Sequence, residues 1–460
     1  MSAPVLTAVD PTTGRTVREV PVASDADVDA TLERAHACFA EWRDRSFDER
    51  AAVLTRVAAI MRDDTDTLGY LMTEEMGKPV KEARGEVQKS ALTCDHYAAN
   101  AARYLEVRLV ESDATRSYVQ HLPLGVVLGI LPWNAPFWLA FRFCAPTLMA
   151  GNTCVIKHDP HVPGCAEAIA EVFARAGAPQ GLLQNLPLET ARVERVIRDP
   201  RVRAVSFTGS DRGGAIVASV AGSEIKPAVL ELGGSDPCIV LRDADLDRAA
   251  DVICLSRIIN AGQSCIAAKR ILVEEHVYAP LLERLEARLD ALKVGDPREP
   301  ATDVGPIARD DLRRELHRQV RTSVEAGAEL RLGGELPRGD GFFYPVTLLA
   351  DVPEGAPAMK EETFGPVAVV SKVTDAEHAL RVANRTPYGL GASIWSADVP
   401  RADAMARRID TGQVSVNGIV KTDPRLPSGG VKRSGFGREL GREGIHAFVN
   451  AQQVWVGPAR

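Results

Sequence analysis

Val126-Val127-Leu128-Gly129-Ile130-Leu131 runs straight into Pro132-Trp133-Asn134-Ala135-Pro136. An apolar run of this length, closed by a proline-bounded turn, is the pattern of a strand buried on both faces. Similar short runs recur at Cys154–Lys157, Leu183–Leu186, Ala204–Phe207 and Ala228–Leu230. Between them, Ala166–Ala176 and Arg192–Arg198 read as crossover helices. Strand–helix–strand alternation predicts an α/β fold built on a doubly wound parallel sheet. A second alternating set begins at Pro237-Cys238-Ile239-Val240-Leu241 and continues to about residue 420.

Towards the N-terminus the period changes. From Ser24, an expected N-cap, apolar residues recur at Val28, Leu32, Ala35, Phe39 and Trp42, one face of a helix. Asp48–Met76 repeats the pattern and stops at Gly77-Lys78-Pro79, so the first third is expected to be helical. Leu105–Leu122 lacks helical periodicity and reads as an extended hairpin, and Ala447–Val456 reads as a closing strand. No internal repeat or low-complexity segment marks a linker.

The 460 residues exceed what one compact core organises, so two or three domains are expected. Hydrophobic residues at 45% and charged residues at 25% fit a soluble globular enzyme. A net charge of −7 without a basic run argues against nucleic acid as partner. No apolar stretch approaches the roughly 20 residues of a membrane span. Met1–Gly14 shows neither a basic nor an apolar targeting region, so a cytoplasmic location is expected. The eight cysteines lie scattered, without the short spacings of disulfide frameworks or zinc sites, so no metal is expected.

Four stretches have residue types suited to chemistry. In Gly262-Gln263-Ser264-Cys265, small residues before a thiol let backbone N–H groups approach whatever the sulfur attacks. Glu231 sits at the end of an apolar run beside Gly233-Gly234, where burying a carboxylate without purpose is costly. Asn134, held between two prolines, is a rigid N–H donor suited to an oxyanion. Ser206-Phe207-Thr208-Gly209-Ser210 with Gly213-Gly214 suits a phosphate at a helix N-terminus, but it is not the GxGxxG fingerprint. Each alone has a bland alternative: a packed thiol, a structural ion pair, a turn.

Together, in order and spacing over nearly the whole chain, they resemble the aldehyde dehydrogenase superfamily. Glu361-Glu362-Thr363-Phe364-Gly365-Pro366 and the Gly429–Glu439 segment are similar to two further signatures of that family. The resemblance implies NAD(P)-dependent oxidation of an aldehyde to an acid, with Cys265 as nucleophile, Glu231 as general base and Asn134 as oxyanion donor. It places the NADP or NAD along Trp133, Lys157, Gly209, Ser210 and Leu232, with Glu362 and Phe364 near the nicotinamide. It also implies a three-part chain: a cofactor domain (1–104 and 124–233), a catalytic domain (234–428) and oligomerisation strands (105–123 and 447–460) of a homodimer or homotetramer.

Within the superfamily, Lys157-His158, Gly234-Ser235-Asp236-Pro237, Cys265–Arg270 and Asp423–Pro427 are similar to the bacterial succinate-semialdehyde dehydrogenases. That subgroup implies that Arg142 grips a substrate carboxylate; the alternative is a helix arginine in a salt bridge. Ala135, Ser428 and Ile259 depart from the family pattern, which leaves room for a longer or uncharged aldehyde. Ala267 stands where some relatives carry a second Cys. Pro160 stands where NAD-preferring relatives place a Glu that repels a 2′-phosphate, which favours acceptance of NADP. A different class, a thioesterase or esterase using Cys265 and Glu231 without cofactor, is the competing expectation.

Overall fold

The computed structural model describes residues 4–458. The chain opens with an antiparallel hairpin, β1 (Val5–Asp10) and β2 (Arg15–Pro21). This corrects the expectation of an all-helical first third: β1 alternates inward and outward side chains, a period of two in a run too short to stand out. Helix α1 (Asp25–Trp42) is capped by Ser24, whose Oγ accepts from Asp27 N while its own backbone N–H donates to Asp27 Oδ2. The Asp48–Met76 pattern is two helices, α2 (Phe47–Asp63) and α3 (Thr65–Met76), broken at Asp64. Helix α4 (Val80–Tyr104) follows, with Ala83, Val87, Ala91, Cys94, Tyr97, Ala101 and Tyr104 in the apolar core and Glu82, Glu86 and Lys89 on the wall of a cavity. Strands β3 (Arg108–Leu109) and β4 (Arg116–Pro123) form the expected hairpin.

The parallel core follows as β5 (Val126–Leu131), α5 (Pro136–Met149), β6 (Thr153–His158), α6 (Pro163–Arg175), β7 (Leu183–Asn185), α7 (Val193–Arg198), β8 (Val202–Thr208), α8 (Asp211–Ser223) and β9 (Ala228–Glu231). Along β5, Val126, Leu128 and Ile130 enter one hydrophobic core while Val127 and Leu131 enter another on the opposite face. Burial on both faces accounts for the unbroken apolar run. Helix α5 is buried along its whole length, so no amphipathic stripe announces it.

A second sheet comprises β10 (Pro237–Val240), β11 (Arg270–Glu274), β12 (Glu329–Leu332), β13 (Thr347–Ala350), β14 (Val367–Val373), β15 (Gly391–Trp395) and β16 (Gln413–Val416). Its order is β12-β13-β14-β11-β10-β15-β16, parallel except for β12. The chain then returns: β17 (Gly435–Phe436) joins the edge of the first sheet antiparallel to β9, giving the order β17-β9-β8-β5-β6-β7. Finally β18 (Val449–Val456) pairs with β4 in a three-stranded antiparallel sheet. No helix among the described residues is long and apolar enough to cross a membrane.

Candidate active site

From β5 the chain proceeds to β6 and β7 on one side, then returns through β8 and β9 on the other. The strand order therefore reverses between β5 and β8, and ligands of open α/β sheets bind outside the carboxyl ends of strands at such a point. Asn134 follows β5, Lys157 lies in β6, Gly209 and Ser210 follow β8, and Glu231 ends β9. Successive turns at one sheet end thus collect residues far apart in sequence.

Cys265 comes from the second lobe, on the loop before β11. Seven of the eight cysteines are buried; Cys265 alone is partly exposed. It lines a cavity of about 570 Å³ shared with Asn134, Trp138 and Arg142. The backbone before it is left-handed at Asn260 (φ 56°), Ala261 (φ 53°) and Gly262 (φ 73°), a conformation unfavourable for residues with side chains. Only glycine fits the last position, where a Cβ would lie 2.2 Å from Gly365 O. Gln263 anchors the loop: its Oε1 accepts from Ala308 N at 2.9 Å, and its carbonyl accepts from Asn134 Nδ2 at 3.1 Å. The amide of Asn134 is thereby fixed against the loop that carries the thiol. Burial pushes the Cys265 thiol up to about 11, while Arg142 and Lys269 pull the other way.

Lys269 is fully buried and was not singled out in the sequence. Its Nζ donates to the carbonyls of Ser264 (2.9 Å) and Cys265 (2.6 Å) and pairs with Glu362 Oε1 at 3.1 Å. Glu362 Oε1 also accepts from Gly234 N at 3.0 Å.

Arg142 is buried between two carboxylates, the salt-bridge alternative for this residue. Its Nη2 donates to Glu231 Oε2 at 3.2 Å, and its Nε pairs with Glu439. Glu439 lies in the Gly429–Glu439 segment, where nothing in its immediate neighbours marks it as a site residue; its other oxygen accepts from Ser206 Oγ at 3.2 Å. Glu231 Oε1 is buried without a hydrogen-bond partner among the described residues. Burial raises the Glu231 carboxyl well above its ordinary range, against the pull of Arg142 and with the help of Glu439.

The profile described as "Aldehyde dehydrogenase family" matches residues 2–454. The chain belongs to the aldehyde dehydrogenase family. It is 46% identical over 448 residues to a protein of Synechocystis sp. named "Probable succinate-semialdehyde dehydrogenase (NADP(+))", covering 97% of this chain and 99% of that one. A succinate-semialdehyde dehydrogenase (NADP(+)) of Mycobacterium avium is 44% identical, covering 98% of this chain and 97% of the relative. Among solved structures, succinic semialdehyde dehydrogenase from Streptococcus pyogenes in complex with NADP+ superposes with a TM-score of 0.96 at 37% identity, covering 98% of this chain and all of that one.

The crevice of this family member fits a nicotinamide dinucleotide. Thr208 Oγ1, at the end of β8, is buried with no hydrogen-bond partner among the described residues. Ser210 caps α8, accepting from Gly213 N at 3.2 Å, so the positive end of a helix faces the crevice. Lys157 is buried at the end of β6 with no carboxylate within 4 Å among the described residues. At the opposite side, Trp133 meets Phe364 edge to face, with centroids 5.8 Å apart.

Proposed function

We propose that this enzyme oxidises succinate semialdehyde to succinate through a thioester on Cys265, using NADP and also admitting NAD. The observation that carries the substrate class is the cavity wall, where Lys78, Lys81, Lys89 and Lys421 outnumber Glu82, Glu86 and Asp303 even with Arg142 set against Glu231 and Glu439. An excess of positive charge around a thiol favours an anionic aldehyde.

Cys265, as thiolate, attacks the aldehyde carbon, and the Asn134 amide holds the oxygen that becomes negative. Its fixed tie to Gln263 O leaves the second N–H of Nδ2 for that oxygen. Oxidised nicotinamide, when bound, supplies the hydride acceptor. Trp133, Lys157, Gly209, Ser210, Leu232, Glu362 and Phe364 would hold the dinucleotide, with Lys157 free of a carboxylate partner that would repel a 2′-phosphate. Glu231 then takes a proton from the water that hydrolyses the thioester, using the unpartnered Oε1.

Residues 1–104 with 124–233 serve as the cofactor domain and 234–428 as the catalytic domain. The exposed sheet of β3, β4 and β18, with Leu109, Trp455 and Val456 open on its surface, supports a homodimer or homotetramer. Eight unpaired thiols suit a reducing cytoplasm. Steady-state kinetics with aldehydes bearing or lacking a terminal carboxylate, against NADP and NAD, test the assignment. Equal kcat/KM for succinate semialdehyde and butanal would overturn the substrate, and turnover of esters but not aldehydes would overturn the reaction.

A further inference from the structure

The left-handed stretch before Cys265 is held from outside its own loop. Asn260 and Ala261 have φ of 56° and 53°, and successive residues with side chains stay in that region only where their surroundings fix them. One tie is local: Gln263 Nε2 donates to Asn260 O at 3.1 Å. The other comes from helix α4. Glu82 Oε2 accepts from Asn260 N at 2.6 Å, the one hydrogen bond of the Glu82 carboxylate among the described residues. Glu82 stands on the cavity wall with Cys265, and burial lifts its carboxyl to about 7 against the pull of the Asn260 N–H, Lys78 and Lys81. A carboxylate is unfavourable in such a place, so its aim at a single backbone amide points to a task for that amide.

From Asn260 the bonds lead to Asn134. Asn260 Nδ2 donates to Asn134 O at 2.8 Å and to Gln263 O at 3.2 Å, and the same Gln263 carbonyl accepts from Asn134 Nδ2 at 3.1 Å. The Asn134 turn is thus tied to the thiol's loop through both its backbone and its side chain. Helix α4 also holds the far side of that turn. Glu86, one turn beyond Glu82, has Oε1 accepting from Phe137 N at 2.9 Å and Trp138 N at 3.0 Å, while its other oxygen pairs with Lys78.

We propose that Glu82 is a positioning residue for the oxyanion site, fixing the Asn134 amide through Asn260. The proposal rests on the reading of Asn134 as the donor to the oxyanion. Such a donor accelerates the reaction only where its N–H already points at the place charge will develop. Without the Glu82 carboxylate, the Asn260 N–H loses its acceptor and the left-handed turn loses its outside support. Asn260 Nδ2 then no longer holds Asn134 O, and the loss falls on rate rather than on substrate affinity.

The test measures single-turnover formation of NADPH, beside steady-state KM. It compares wild type, Glu82→Ala, Glu82→Gln, Asn134→Ala and the double variant carrying Glu82→Ala and Asn134→Ala. Asn134→Ala should be slower by on the order of 10²- to 10³-fold. Glu82→Ala should be slower by about 10- to 50-fold on succinate semialdehyde and butanal alike, with KM for each within about threefold of wild type. Glu82→Gln keeps an acceptor oxygen and should recover all but about threefold. In the double variant the loss from Glu82→Ala should shrink to less than about twofold, because its route runs through Asn134. A full loss from Glu82→Ala in the Asn134→Ala background would overturn the role of Glu82, as would a fast Glu82→Ala beside a slow Asn134→Ala. An effect confined to KM for succinate semialdehyde would overturn it too, leaving Glu82 as a charge on the cavity wall. An Asn134→Ala enzyme as fast as wild type overturns the oxyanion reading instead, and the proposal with it. Should Glu82→Ala not fold, Glu82→Asp, one methylene short of the Asn260 N–H, takes its place with the same outcomes.

Discussion

Arg142 Nη2 donates to Glu231 Oε2 at 3.2 Å, and both side chains are buried. One carboxylate oxygen is thereby held while Oε1 stays without a partner among the described residues. A base that must accept a proton from water is served by this division: the held oxygen sets direction and the other keeps its lone pairs. The Arg142 guanidinium also spans to Glu439, so the proposed base is oriented by a segment distant in sequence.

Removing Arg142 should therefore damage the base. Arg142→Gln is expected to lower kcat for succinate semialdehyde and butanal alike. It should also destabilise the fold by about 3–5 kcal/mol where the carboxylates are ionised, because it leaves them buried without their cation. The deficit should shrink as pH falls and Glu231 takes a proton. Denaturant unfolding of wild type and variant at several pH values checks the trend, and a kcat on butanal equal to that of wild type would contradict the tie to the base.

Cys265→Ala should abolish turnover while leaving the thermal stabilisation by NADP largely intact, since the dinucleotide is held by other residues. The measurement is a melting curve with and without cofactor beside an activity assay. More than a few per cent of residual activity would rule out the thiol as nucleophile.

Glu231→Gln should still give a single burst of reduced cofactor and then stall at the thioester, because hydride departs before hydrolysis. Rapid-mixing absorbance of the reduced nicotinamide, with mass spectrometry of acylated Cys265, checks this. A lost burst would mean that Glu231 acts earlier, in deprotonating the thiol.

The raised proton affinity of Glu231 has a stability consequence with a definite sign. Its folded value lies above the ordinary 4.5, so the folded enzyme keeps a proton that the unfolded chain has released, and its contribution to stability falls as pH rises above 4.5. Glu231→Gln lacks that titration. Its melting temperature relative to wild type should climb with pH over this range, and a flat difference would contradict a proton affinity raised by burial.

Alkylation of Cys265 in the cofactor-free enzyme should be slow at neutral pH and accelerate steadily into the alkaline range. Burial holds the thiol near 11, and only the thiolate reacts. Iodoacetamide inactivation rates across pH check this, and a rate already level at pH 7 would show a thiolate formed without help.

Much of this site is legible in the sequence. Val126–Leu131 and Ala228–Glu231 are strands because both faces are buried, and such runs announce themselves. Cys265 and Asn134 sit on short glycine- and proline-marked turns, where the chain's local chemistry is read directly. Less visible were residues whose role depends on distant partners. Glu82 lies in the first turn of α4, and its meaning comes from Asn260. Lys269 gains its role from Glu362, and Arg142 gains its pair with Glu439 from a segment distant in sequence. No window of sequence contains those pairs.

The late strand β17 also bears on how the protein is made. Residues 435–436 close the edge of β9, Ser434 donates its hydroxyl to Gly233 O at 2.7 Å, and Glu439 completes the ion pairs around Arg142. A nascent chain that has emerged from the ribosome only as far as β16 has all the strands of both parallel sheets except this one. Its β9 edge stays open, with backbone groups unpaired and Arg142 short of one counter-ion. The first lobe thus completes its sheet only after residues 435–439 have emerged. A chain cut before residue 435 would keep an open sheet edge beside Glu231, a template for pairing with other chains.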